Sequence, residues 1–316
     1  MGSGISYCFG MNRFLNLGSV TILMGLAPLG FAANAKKEGS AELVPPPIPA
    51  IKSLHIEPAT LTLKNGRDER RVLVLGKTDS GAVIDLTSSA VFKSETEAVE
   101  VDPVKYIHAK AKGEGVIQIS AEGREAKLPV KVEDAAMPPV RFARDIEPLL
   151  SKIGCNAGTC HGSAKGKNGF KLSLRGYDPE FDYQALVNDL SGRRFNRVNV
   201  DESLMLSKPT GEVPHEGRQV IKPNSREYNL IRAWIAEGAS YEEPAAGRAK
   251  KIEILPSEVE MDLPGRTQQL LVIATYPDGS TRDVTREAVF ESSNSDVASI
   301  KNNTRSVPCA GAKRQF

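Results

Sequence analysis

The stretch Cys155-Asn-Ala-Gly-Thr-Cys160-His161-Gly162 brings two thiols and an imidazole into one short run. Two cysteines followed at once by a histidine is the order that attaches a haem to a polypeptide. The thiols add to the two vinyl groups as thioethers, and the histidine is delivered to the iron as proximal ligand. The usual spacing is C-x-x-C-H, whereas four residues separate the cysteines here; Gly158 would let the longer loop fold compactly. Two other chemistries use the same atoms. A Cys155–Cys160 disulfide forms readily in an oxidising compartment, although it gives the adjacent His161 no part. Zinc would find four donors in Cys155, Cys160, His161 and His215, but adjacent Cys160 and His161 can hardly both reach one tetrahedral ion. For haem, the sixth ligand would be His215, in Lys208-Pro-Thr-Gly-Glu-Val-Pro-His215-Glu-Gly217, or Met205, in Ser203-Leu-Met-Leu206. A Pro/Gly loop can aim a polar side chain inwards, so His215 is the expected ligand. Met205, flanked by leucines, reads as core. Two histidines give a lower potential than His/Met.

These side chains need elements to hold them. Phe142, Ile146, Leu149, Leu150 and Ile153 fall on one face of a helix that runs straight into Cys155. Pro148 fits if the helix begins near Asp145, inside the first turn where no amide bond is lost. Asp178 and Pro179 read as N-cap and first residue of a second helix ending near Leu186. Asn224 reads as the cap of a third, with Glu227 capping back. Tyr228, Ile231, Trp234 and Ile235 form its apolar face, and Gly238 ends it. A helix entering the cysteines and a closing helix with an aromatic face predict an all-α cytochrome c-like domain over 140–242.

Around this block the pattern changes to period two. Leu54 and Ile56, Leu61 and Leu63, Val72 to Leu75, Val116 to Ile119, and Leu128 to Val132 read as short strands of a β-sandwich over 51–133. The block recurs. Ile56, Pro58, Gly81, Asp85, Thr87, Ala90, Val91, Phe92, Ser94 and Val99 match Ile254, Pro256, Gly279, Asp283, Thr285, Ala288, Val289, Phe290, Ser292 and Val297 at one ungapped offset (256 − 58 = 198; 297 − 99 = 198). Asp278-Gly279 predicts a hairpin turn with positive φ. The D-x-T unit predicts an aspartate bonded to its own backbone, and Phe92 and Phe290 predict core fillers. His55 and His108 read as surface or strand-packing histidines. The second copy, 251–316, reads as a partial sandwich: the run from Asn303 to Phe316 lacks strand alternation, as if the gene were cut short or frameshifted there.

Residues 1–35 read as a secretory signal, with Arg13 before an apolar stretch from Leu15 to Phe31 and an Ala33-Asn34-Ala35 cleavage site. Residues 36–50 read as a Pro-rich linker. After cleavage no membrane span is expected, and the mature chain would be periplasmic, on the cell surface or secreted. A net charge of +2 with 25% charged residues calls for no nucleic-acid partner. Four cysteines, of which Cys8 lies in the signal and Cys309 in the doubtful tail, leave one close pair and no disulfide framework. Lys165, Lys167, Lys171, Arg175, Arg193, Arg194 and Arg197 read mainly as a solvated face; the alternative is that one or two neutralise haem propionates and the rest steer an acidic redox partner. With no nucleophile–base pair, paired acids or phosphate loop in view, catalysis is not expected.

The repeated β-block resembles bacterial immunoglobulin-like domains of group 2, which share the order I-x-P, turn-Gly, D-x-T and A-x-(F/W)-x-S and serve as spacers, adhesins and binding arms. Residues 142–238 resemble the cytochrome c-like domain of planctomycete-type secreted proteins. The matching stretches are Asp145-Ile-Glu-Pro148, Gly154 to Gly162, Gly169-Phe-Lys-Leu-Ser-Leu-Arg-Gly176, Lys208-Pro-Thr-Gly211, Val213-Pro-His215 and Trp234-Ile-Ala-Glu-Gly238. That resemblance implies a covalent haem c between immunoglobulin-like arms, electron transfer to a redox partner protein, and an envelope ligand for the arms. The competing expectation is a haem-free surface interaction or adhesion protein with a Cys155–Cys160 disulfide.

Overall fold

The computed structural model describes residues 46–241, 247–261, 265–295, 297–301 and 305–308. The signal-peptide reading, most of the linker reading and the tail with Cys309 lie outside the described residues.

The first β-module contains β1 (Ile51–Glu57), β2 (Leu61–Leu63), β3 (Glu69–Arg70), β4 (Leu73–Thr78), β5 (Val83–Asp85), β6 (Val91–Ser94), β7 (Val99–Val101), β8 (Ile107–Ala109), β9 (Gly113–Ala121) and β10 (Arg124–Val132). They form sheets ordered β1-β4-β5, β2-β10-β9-β6 and β3-β8-β7. The period-two reading of β10 is borne out: Leu128, Val130 and Val132 are buried while Lys127, Pro129 and Lys131 are exposed. Ile56, Val74, Ile117, Ile119 and Leu128 belong to the core that joins the first two sheets.

The second module contains β11 (Lys251–Leu255), β12 (Gln268–Gln269), β13 (Leu271–Thr275), β14 (Thr281–Asp283), β15 (Ala298–Lys301) and β16 (Arg305–Pro308). Its sheets, β11-β13-β14 and β12-β16-β15, repeat β1-β4-β5 and β3-β8-β7. The sheets of both copies are compatible with immunoglobulin-like sandwiches. Arg305–Pro308 pairs with β15, so the expectation of no strand after Asn303 is corrected. Among the described residues the second copy has no counterpart of the four-stranded sheet.

The D-x-T unit does more than its sequence suggests. Asp85 Oδ1 accepts from the Thr87 amide at 2.8 Å, and Thr87 Oγ1 accepts from Val74 N at 2.9 Å. Asp283 and Thr285 repeat this with Val272, at 3.0 and 2.8 Å. The second carboxylate oxygen of each aspartate reaches the other module: Asp85 Oδ2 accepts from Gln269 N and Asp283 Oδ2 from Arg71 N. These partners share the repeat offset (283 − 85 = 198; 269 − 71 = 198), so the contact is reciprocal. Leu73 and its counterpart Leu271 are both fully buried in the cluster between the modules. The repeat therefore packs on itself about a local pseudo-twofold, through the sheet faces opposite the β1/β4 core.

Between the modules, α1 (Glu147–Lys152), α2 (Pro179–Val187), α3 (Leu204–Thr210) and α4 (Arg226–Ala236) are short and joined by long irregular turns. The expected all-α cytochrome c-like domain is not what this segment forms, and the described chain is mostly β-sheet. The cause is local. The apolar face from Phe142 to Ile153 is buried as predicted, except that Ile153 is half-buried, but its first turn, Phe142–Ile146, is a wide π-turn that closes before α1 begins. Positive φ at Gly154, Gly166, Gly169 and Gly176 then turns the chain through the whole cysteine region without regular structure. Asp178 caps α2 as expected, accepting from Phe181 N at 3.1 Å. The α4 cap is Ser225, which accepts from Tyr228 N, and not Asn224, which sits at φ 61° just before it. Tyr228, Ile231, Trp234 and Ile235 are buried as read.

Ion pairs fasten this segment to both modules. Arg226 Nη2 lies 2.7 Å from Glu69 Oε1 and 2.7 Å from Glu287 Oε1. Arg282 Nη1 reaches Asp145 Oδ1 at 2.8 Å. Among the described residues no helix is long and apolar enough to cross a membrane.

Candidate functional site

The cysteine stretch follows α1 as a coil of backbone turns. Cys155 N donates to Leu150 O, Cys160 N to Ala157 O and His161 N back to Cys155 O, at 2.9, 2.9 and 3.0 Å. This last bond closes the four-residue spacing into a loop. The glycine that the loop requires is Gly162, where a Cβ would sit 2.0 Å from the Asn156 carbonyl oxygen. At Gly158 a Cβ would meet only Leu174 Cδ1 at 3.6 Å, so the expected role of Gly158 is corrected. Asn156, fully buried at the loop's centre, donates to Glu147 Oε1 at 3.0 Å and Ser151 Oγ at 2.8 Å.

Both thiols are free. Cys155 packs against the core of the middle segment. Burial, then the nearby Cys160 and Glu147, pushes its thiol up to about 12. It is therefore a neutral, slow nucleophile at ordinary pH. With iodoacetamide at pH 8, Cys155 is expected to be alkylated at least about tenfold more slowly than Cys160. Peptide mapping of a time course reads this directly, and equal rates would contradict the packing of Cys155.

His161 lies against Phe170, ring centroids 4.4 Å apart, and its Nδ1 is 3.1 Å from the Phe170 carbonyl oxygen. A carbonyl can only accept, so Nδ1 carries the proton and Nε2 keeps its lone pair. Burial first, and then the nearby basic groups His215, Arg194 and Lys167, hold the imidazole below its usual pKa, against the opposite pull of the Phe170 carbonyl. His215 repeats the arrangement, with Nδ1 2.9 Å from Arg218 O. The two histidine loops are tied by Lys167 Nζ to Glu216 Oε1 at 3.1 Å. Met205 is buried in the middle core, as its leucine neighbours suggested.

The donor set thus matches that of a haem in kind: two unbridged thiols and two imidazoles, each with Nδ1 against a backbone carbonyl, the usual outer-shell arrangement of a metal-bound histidine. It does not fit zinc. Among the described residues no three or more His, Cys, Asp or Glu side chains are placed to hold one ion. A cavity of about 1240 Å³ among the described residues is lined by none of Cys155, Cys160, His161, His215 or Met205.

Two features escaped the sequence reading. Arg194 is buried: its guanidinium stacks on the Phe170 ring, 4.1 Å from the centroid, and donates to Ala185 O at 2.8 Å. It is therefore no part of a solvated basic face. Glu147 and Asp182 form a buried carboxyl pair, 4% and 0% exposed, directly beneath the cysteine loop. Asp182 accepts from Ser173 N and, at 2.6 Å, from Ser173 Oγ. Their wide separation in the chain leaves no spacing signal that could have paired them.

No protein-family model and no curated protein matches the chain. Among solved structures, domains 4 and 5 of the S-layer protein SbsC are similar over 27% of this chain and 54% of that one, at 17% identity and a TM-score of 0.22. A likeness of that size carries no argument about either fold or function.

Proposed function

We propose that the chain is an exported, modular electron-transfer protein that holds a haem covalently through Cys155 and Cys160, with His161 as proximal ligand and His215 as the distal one. The observation that supports this most is the Nδ1 anchoring of His161 on the Phe170 carbonyl, which leaves Nε2 its lone pair in a stretch of chain that also carries two unbridged thiols. When bound, the haem supplies a one-electron couple. The protein's own contribution is to fix the imidazole. Phe170 holds His161 by its carbonyl and its ring, and Arg194 stacks on the same ring. The Lys167–Glu216 pair keeps the His215 loop beside it. The two β-modules act as spacers or docking arms in the periplasm or at the cell surface, and a redox partner protein exchanges the electron.

The test is export of the full chain in a host equipped for covalent haem attachment, with a visible spectrum and a haem stain after denaturing electrophoresis. A Soret band and staining that survives the detergent are expected, both lost in the Cys155→Ser/Cys160→Ser double variant. His215→Ala, but not Met205→Leu, is expected to change the Soret position. A colourless, stain-negative protein without a reactive Cys155–Cys160 thiol pair would replace this reading by a haem-free interaction protein carrying that disulfide.

A further inference from the structure

The repeat places the same short turn in both β-modules. After each D-x-T unit the chain makes one turn of helix. Ser89 N and Ala90 N both donate to Leu86 O, at 3.1 and 2.9 Å, and Glu287 N and Ala288 N both donate to Val284 O at the same two distances. All three positions keep the repeat offset (284 − 86 = 198; 287 − 89 = 198; 288 − 90 = 198). A helical turn that goes no further ends in carbonyls with no amide above them, and these attract a cation. In the first module Lys105, from the β7–β8 connection, supplies it. Its Nζ donates to Thr87 O, Ser88 O and Ala90 O at 2.9, 2.7 and 2.6 Å, and lies 5.7 Å from the centroid of the Phe92 ring. Three acceptors match the three protons of an ammonium.

In the second module the cation comes from elsewhere in the chain. Lys152 Nζ donates to Ala288 O, the counterpart of the Ala90 carbonyl. Lys152 is the last residue of α1, and the cysteine loop hangs directly from that end: Ile153 N donates to Leu149 O and Cys155 N to Leu150 O. The side chains of the two turns differ to match. Ser88 and Ser89 are exposed. Their counterparts Arg286 and Glu287 reach other parts of the molecule, Arg286 Nη2 to Asp102 Oδ2 and Glu287 Oε1 to Arg226 Nη2, each at 2.7 Å. Glu287 also sets a negative charge near the Lys152 ammonium.

We propose that the turn after D-x-T is an ammonium socket in both copies, and that the second copy uses its socket to bind Lys152 and so clamp the root of the cysteine loop. The occupant decides the role. Lys105 closes the turn of its own module, whereas Lys152 joins a β-module to the segment that carries Cys155, Cys160 and His161. A module held in this way does more than space, because its position is felt three residues before Cys155 (155 − 152 = 3). The clamp is independent of the haem reading, since none of its bonds involves a thiol or an imidazole.

Hydrogen–deuterium exchange of the full chain, read by mass spectrometry, tests this with Lys152→Met and Lys105→Met, which keep an unbranched stem and remove the donors. Lys152→Met is expected to speed amide exchange over 153–161 at least about tenfold, and Lys105→Met to leave it unchanged, with its own acceleration confined to 86–106. Lys152→Arg, which still donates, is expected to stay near the parent. Unchanged exchange over 153–161 in Lys152→Met, an equal rise there in both Met variants, or an equal rise in Lys152→Arg would each overturn the proposal. Trace acetylation of the unaltered chain gives the answer should a variant not fold. Burial, against the pull of Glu287, holds the Lys152 ammonium below its usual pKa, which by itself would make the amine react faster. A socketed Lys152 is instead expected to react at least about tenfold more slowly than the exposed Lys77, and a Lys152 as reactive as Lys77 would overturn the clamp.

Discussion

Trp234→Ala is expected to cost about 3–5 kcal/mol of stability, the range for a large aromatic removed from a packed core. Trp234 is the single tryptophan and is fully buried on α4. Phe142 lies 5.2 Å from its ring and Phe195 meets it edge-on at 5.4 Å; Tyr183 lies 6.3 Å away. Its Nε1 donates to Ser240 O at 3.0 Å, so alanine would leave both a void and an unpaired carbonyl. The middle segment can ill absorb that loss, because its helices are short and its core, which takes in Leu172 and Ile221 from the turns, is built around this aromatic cluster. Phe142 opens the π-turn that leads into α1 and the cysteine loop, so slackening Trp234 should also expose Cys155. Chemical denaturation followed by circular dichroism gives the stability, and Cys155 alkylation gives the local opening. Trp234→Phe should recover about half of the loss. A cost under about 1 kcal/mol, or an unchanged alkylation rate, would show that the aromatic cluster does not hold the loop.

How far the sequence could be read depended on whether the controlling contact was local. The strands of the first module follow from alternation and turn residues, and β10 buries Leu128, Val130 and Val132 as its pattern requires. The offset of 198 also carries structure with it, down to paired D-x-T bonds. The middle segment was less legible for a specific reason. The face Phe142–Ile153 signals burial, and burial alone does not distinguish a continuous helix from a π-turn followed by six residues of α-helix. The site divides in the same way. Cys155, Cys160 and His161 are adjacent in the chain and could be found by spacing. The Phe170 carbonyl that fixes His161, and the Glu147–Asp182 pair beneath the loop, depend on close packing of remote turns. Val289–Ser292 shows the reverse case: it repeats the Val-Phe-x-Ser of β6 and is no strand, and β9, with which β6 pairs, has no counterpart among the described residues.

The chain should lose stability as pH rises from about 5 to 8, and Glu147 should be the main cause. Burial, then the charge of Asp182, pushes its carboxyl up to about 8, while burial also raises Asp182. A carboxyl in the unfolded chain titrates near 4.3. Between those values the folded state keeps a proton that the unfolded state has released, so stability is greatest at the acid end and falls as pH climbs through the folded value. The expected loss is about 2–4 kcal/mol across the window. His161 works in the opposite sense. Its pKa is held low, so it contributes only below its unfolded value near 6.5, where acid would destabilise the fold. The groups around Glu147 make the prediction specific: Asp182 hydrogen-bonds to it, Asn156 donates to it, and a Cβ on Gly176 would meet Oε1 at 2.4 Å. Ionising both carboxyls would place two like charges under Asn156 and pull at the loop that carries the cysteines and His161. Glu147→Gln preserves the Asn156 contact through its carbonyl and can donate to Asp182, mimicking the protonated state. It should flatten the profile and raise the melting temperature at pH 8, while Glu147→Ala, which leaves Asn156 without its partner, should lower it at every pH. Thermal unfolding of the three proteins at pH 5, 6.5 and 8 decides the matter: a Glu147→Gln variant with the parent's slope would place the titration elsewhere and remove the link between this carboxyl pair and the cysteine loop.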